Sequence, residues 1–138
     1  MKTRFSDAFE ALRGYLASNV PGISSVVTHW VNPPDAQDGL AMLFPHSNNT
    51  EDGRISCGFN LWFHTVRPDP REVAAAQVAV MEEVFDAVYR TGGLPPPILK
   101  GAVRETEYGY GQKPEELGDA RLARALIELT MEFDDDGN

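Results

Sequence analysis

The run Ile55-Ser56-Cys57-Gly58-Phe59-Asn60-Leu61-Trp62-Phe63-His64 alternates large apolar residues with smaller or polar ones. Successive side chains of a strand point to opposite faces. Ile55, Cys57, Phe59, Leu61 and Phe63 therefore form a buried face, and Ser56, Gly58, Asn60, Trp62 and His64 a more exposed one. Near the end of the chain, Ala125, Ile127, Leu129, Met131 and Phe133 alternate in the same way with Leu126, Glu128, Thr130 and Glu132. Two strands with one apolar face each need a second layer to cover them.

That layer is written on either side of the first run. Asp69-Pro70-Arg71-Glu72 is a helix start, with Asp69 as N-cap, Pro70 at the first helical position and Glu72 as in a capping box. Val73, Ala76, Val80, Met81, Val84, Phe85 and Val88 then fall on one half of a helix that runs to Arg90 and stops at Gly92-Gly93. Phe5, Ala8, Phe9, Leu12 and Leu16, spaced by three and four, predict another helix over Thr3–Asn19, ended by Pro21-Gly22. Ile23 to Val31 and Gly39 to Pro45 read as short strands, and His46 to Arg54 as a polar loop turning at Asp52-Gly53. Ile98 to Tyr110 reads as a further strand, and Lys113 to Asp119 as a loop with one helical turn after Pro114. The order α-β-β-β-α-β-β predicts an α+β fold: a single mixed, mostly antiparallel sheet of five strands with both helices on one face.

With 138 residues, 42 % of them hydrophobic and 24 % charged, the chain fits one domain over 1–138, with a flexible acidic tail expected over 134–138. A single cysteine excludes an internal disulfide. Twelve basic against 21 acidic residues give a net charge of −9, which disfavours gripping phosphate backbones. The N-terminus lacks the apolar core of a signal peptide and no run suits a membrane span, so synthesis in the cytoplasm is expected.

Chemistry-bearing motifs are sparse. No phosphate-binding glycine loop occurs, and Gly109-Tyr110-Gly111 lacks the third glycine and the helix that a dinucleotide site needs. His29, His46, Cys57 and His64 stand in separate segments without metal-ligand spacing, and Cys57 shares a strand face with Phe59 and Leu61. His64 points away from Cys57, which works against a thiol–imidazole pair. Carboxylates at Glu105/Glu107 and Glu115/Glu116 read as solvated faces. No catalytic, cofactor-binding or metal-binding residue is assigned. Trp30, Trp62, Tyr108 and Tyr110 lie on strand exteriors. Either a further layer covers them or they form an interface, since exposed aromatic area marks partner binding.

Four features together resemble the tail-terminator (tail-completion) proteins of long-tailed bacteriophages and prophages. They are the helix Phe5–Leu16, the strand through Cys57-Gly58-Phe59-Asn60-Leu61-Trp62-Phe63, the capped helix from Asp69-Pro70 to Arg90, and the strand Ala125–Phe133. The resemblance implies a structural, non-enzymatic virion protein, assembled in the host cytoplasm and located in the tail. It implies a homo-oligomer, a hexameric ring that caps the tail tube, ends its polymerisation and offers a docking surface to the head connector. Tube protein, connector protein and other copies of the chain are the implied partners; DNA passes through without sequence-specific binding, and no cofactor is implied. Asp35, Asp38, Glu51, Asp52, Glu115 and Glu116 are candidate channel-facing acids, because carboxylates repel phosphates and leave the strand free to slide. The loops Asn32–Gly39 and His46–Arg54 are particular to this chain. Another head–tail neck or adaptor module, or a small cytoplasmic enzyme, are the alternatives.

Overall fold

β3 (Arg54–Arg67) and β6 (Ala120–Asp134) lie antiparallel at the centre of the sheet in the computed structural model, which describes residues 5–90, 92–108 and 114–134. Around them stand β1 (Ser25–Val27), β2 (Leu40–Glu51), β4 (Ile98–Tyr108) and the short β5 (Glu115–Leu117). The order across the sheet is β1-β2-β3-β6-β4, with β5 also pairing to β6. Among the described residues only the β1–β2 pair is parallel. Helices α1 (Phe5–Asn19) and α2 (Pro70–Tyr89) supply the second layer, and the fold is α+β with one mixed, mostly antiparallel sheet.

The period-two pattern identifies the helix-covered face. Cys57, Phe59, Leu61 and Phe63 from β3 join Ala125, Ile127, Leu129, Met131 and Phe133 from β6 in one core with Leu12 and Leu16 of α1 and Val80, Val84 and Val88 of α2. Burial of these side chains, at roughly 25 cal/mol per Å² of apolar surface, is what holds helices to sheet. Polar ties fix their angles. The Tyr15 hydroxyl donates to the Ala87 carbonyl at 2.7 Å inside the core, and the Gly22 N–H donates to the Glu83 carboxylate at 2.7 Å. Gly22 has a steric duty as well, since a Cβ there would stand 2.4 Å from a methyl carbon of Val80. Asp69 caps α2 by accepting the Arg71 N–H at 2.8 Å. Its carboxylate also holds the Arg71 guanidinium, and the side-chain bond and then the backbone bond lower its pKa.

Several boundaries differ from the sequence reading. The segment 46–54 is not a loop: β2 and β3 run on as a paired hairpin to Glu51 and Arg54, joined at Asp52-Gly53. Both turn residues have positive φ (51° and 76°), the backbone that suits the strand twist in a two-residue hairpin. The first strand spans only Ser25–Val27, because the chain then leaves the sheet edge and crosses its other face through a 3-10 turn at Pro33–Asp35. The stretch after Pro114 forms β5 rather than a helical turn, paired to β6 across Gly118-Asp119. Among the described residues the sheet therefore has six strands rather than five. Asp134 belongs to β6 and pairs with Arg54 at 3.2 Å, so it is no part of a tail; residues 135–138 lie outside the described residues.

Candidate functional site

The face of the sheet turned away from the helices is only partly wet. Trp30, in the 28–39 connection, packs edge-on against Trp62 (centroids 5.5 Å apart) and stacks on Phe44 (6.2 Å). The Val31 N–H donates to the Met42 sulfur at 3.1 Å, which pins the connection over the face. Beneath lies Arg124, 4 % exposed, its guanidinium carbon 5.1 Å from the Trp30 ring centre and 6.0 Å from that of Trp62. A desolvated cation over an aromatic face is worth up to about 2 kcal/mol. Burial lowers the Arg124 pKa. His64 pairs across the strands with Arg124 and is 1 % exposed, with no hydrogen-bond partner on either ring nitrogen among the described residues. Burial first, and the Arg124 charge second, push its pKa down to about 4. His64 is therefore a neutral core residue, a correction to its expected place on the exposed face. Leu126, expected on the wet side, is buried too.

The two tryptophans thus meet, with Trp30 still 45 % exposed at the surface of the cluster. The side chain of Tyr108 and all of Tyr110 lie outside the described residues. Sequence reasoning misses Arg124, although its even position in the β6 alternation puts it on the face that bears Trp62.

The histidines and cysteine do not converge. His29 and His46 are exposed, and Cys57 is buried on the helix side, where desolvation pushes its thiol up to about 11 and suppresses the thiolate. Among the described residues no three His, Cys, Asp or Glu side chains come together as metal ligands, and no helix is long and apolar enough to cross a membrane. A polar hollow of about 130 Å³ opens between His46, Ser47, Asn60, Arg104, Glu128 and Thr130. The buried Asn60 Oδ1 and Thr130 Oγ1 have no hydrogen-bond partner among the described residues.

The six candidate acids divide between the two ends of the sheet. Asp38 accepts the Val66 N–H at 2.9 Å and pairs with Arg67 at 2.6 Å, so it fastens the start of β2 to the end of β3. Glu115 and Glu116 lie at the same end, in register with Leu122 and Arg121, and Asp35 lies in the connection just before β2. Burial raises the Glu115 pKa. Glu51 and Asp52 stand at the hairpin tip near Glu132 and Asp134, with Arg54 between. Twelve residues of β2 separate the two groups, roughly 35–40 Å at the rise of a strand.

The two outermost strand edges of the sheet are largely unpaired among the described residues. β1 covers only Leu40, Ala41 and Met42 of β2, and among the described residues no strand pairs with the outer side of β2 from Leu43 to Glu51. On the opposite side β4 is the terminal strand. Following register across the sheet, Val103 is level with Leu129, Phe59 and Pro45, and Lys100 with Glu132, Ser56 and Asn49. The two open edges therefore lie at one level.

No protein-family model matches the chain, and no curated protein matches its sequence.

Proposed function

We propose that this chain is a structural assembly protein of the tail-terminator kind, whose copies close into a ring, hexameric by the resemblance, that caps a phage tail tube, stops its growth and presents a docking surface to the head connector. The observation that carries this reading is the pair of open edges. β2 and β4 run antiparallel to one another across the sheet, so β4 of one copy meets β2 of an identically oriented copy as an antiparallel partner. Such head-to-tail contacts use two different surfaces and generate rings when the rotation closes.

Both edges are also blunted against casual pairing. Pro45 removes a donor from β2 next to a break in its register, and β4 has register breaks at Ile98/Lys100 and Val103/Glu105. A subunit that joins only where a tube holds its neighbours in place needs such restraint. Native mass spectrometry of the free protein, followed by electron microscopy after mixing with tail tubes, tests the reading. Rings at tube ends are the expected result. A strict monomer that leaves growing tubes uncapped overturns it.

A further inference from the structure

Tyr89, in the last turn of α2, reaches the outer side of β4. Its hydroxyl accepts the Val103 N–H at 2.8 Å and stands 3.5 Å from the Val103 carbonyl. In an antiparallel ladder a residue whose N–H and C=O both turn away from one neighbour offers them to the strand on its other side. No strand lies there among the described residues, so Tyr89 engages the groups that an incoming strand would need. It does so from an exposed position: Tyr89 is 54 % exposed, stacked on the exposed Phe85 (6.2 Å), with Leu99 of β4, also 54 % exposed, nearby. Between the end of α2 and β4 lies an open hollow of about 290 Å³ lined by Tyr89, Arg90, Leu94, Leu99 and Lys100 among others.

We infer that the Tyr89 hydroxyl is a latch on the β4 edge, and that the edge it guards is the docking site for the Leu43–Glu51 stretch of a second copy. The inference rests on the ring reading for its biological setting and adds the contact surface and its control. Charge selects the occupant. Arg90 and Lys100 lie together at the start of β4, with Arg104, Glu105 and Glu107 offsetting one another further along, whereas the β2–β3 tip, which comes level with that start, has Glu51, Asp52, Glu132 and Asp134 around Arg54. With the strands level, Lys100 faces Asn49 of the second copy, and Glu51 is two residues further along the same face. A diagonal pair of this kind, ~7–8 Å between backbones, is within reach of long side chains. The edge remains closed in the free protein while Tyr89 holds Val103. It opens when a neighbour's main chain takes over those bonds, the usual way a strand adds to a sheet edge.

Four variants test this: Tyr89→Phe, Lys100→Glu, Glu51→Lys and the Lys100→Glu/Glu51→Lys double. Tyr89→Phe keeps the ring packing and removes the hydroxyl. Amide exchange at Val103, followed by NMR, is expected to quicken roughly tenfold, the factor one ordinary hydrogen bond controls. In sedimentation velocity the same variant is expected to self-associate at lower concentration than the parent. In that background each single charge reversal is expected to weaken association several-fold and the double reversal to restore it. Unchanged Val103 exchange overturns the latch. Failure of the double reversal to restore association overturns the β2–β4 contact. The ring reading stands or falls separately, on capping of tail tubes by the parent protein: association rescued by the double reversal without capping upholds the contact and removes the tail role.

Discussion

A buried histidine beside a cation responds to acid in one direction. The His64 pKa falls from an ordinary 6.5 to about 4 on folding, so the unfolded chain binds the extra proton throughout that interval. Stability from the neutral imidazole is therefore full above about pH 6.5 and is lost as pH drops through 4, at most roughly 3 kcal/mol over the whole span. Thermal melts between pH 7 and 4 should show this fall, and a His64→Leu variant should show a shallower one. A parent with the same slope as the variant would show that other groups carry the acid response. His64 also marks a limit of the alternation. Period two assigns its face correctly, but not the burial of that face, because the covering residue, Trp30, arrives from 34 positions upstream. Two tryptophans on polar strand faces are the one signal that a cover exists. For Tyr89 there is none, since a tyrosine in the last turn of a helix does not disclose which strand edge its hydroxyl will meet.

At the level of elements, the helices and the two central strands are legible because one physical pattern dominates each. Every other residue of β3 and β6 is large and apolar, and α2 has Asp69 and Pro70 at its start. The hairpin tip is not legible. Ser47, Asn48, Asn49 and Thr50 are polar on both faces and exposed, since the helices pack over β3, β6 and β4 rather than over this edge of the sheet, and its strand character comes from pairing with β3. β1 and β5, three residues each, are likewise defined by a neighbour's backbone more than by their own sequence. The turn that closes the hairpin should therefore be a point of local weakness. A Cβ added to Gly53, at φ 76°, would meet nothing within 4 Å, so Gly53→Ala is penalised by backbone conformation alone, about 1–2 kcal/mol in urea unfolding. A loss near zero would mean that the turn relaxes to another form. The two faces of β6 make the complementary case. Leu129→Asp places an unpaired charge in the core and should abolish folding, whereas Glu128→Lys, on the far face, should stay within about 0.5 kcal/mol of the parent by chemical denaturation. Equal effects at the two positions would contradict the face assignment.

For the whole molecule, a net charge of −9 must be distributed without forcing copies apart, and the geometry divides the candidate acids by task. Asp38 is bonded to Val66 and Arg67, so reversing it damages the fold before any question of DNA arises. Glu51 and Asp52 stand at the tip that the docking inference sets against Lys100, so reversing them should impair assembly first. Asp35 and Glu116 are exposed, and neither holds an ion pair among the described residues. They are the acids that can report on a passing strand. Under the ring reading, Asp35→Lys/Glu116→Lys should fold and cap tails as the parent does while slowing DNA delivery, because cations at a bore bind phosphates by releasing counterions and hold them more strongly at low salt. Tail capping in micrographs and DNA delivery per assembled particle are to be measured on the same preparation. Normal capping with delayed delivery would put this end of the sheet at the channel. Normal capping with normal delivery would put it on the outer wall, where carboxylates serve solubility by mutual repulsion. The far end, with Glu51 and Asp52, would then be the place to look for the bore, but only in variants that preserve the contact with Lys100.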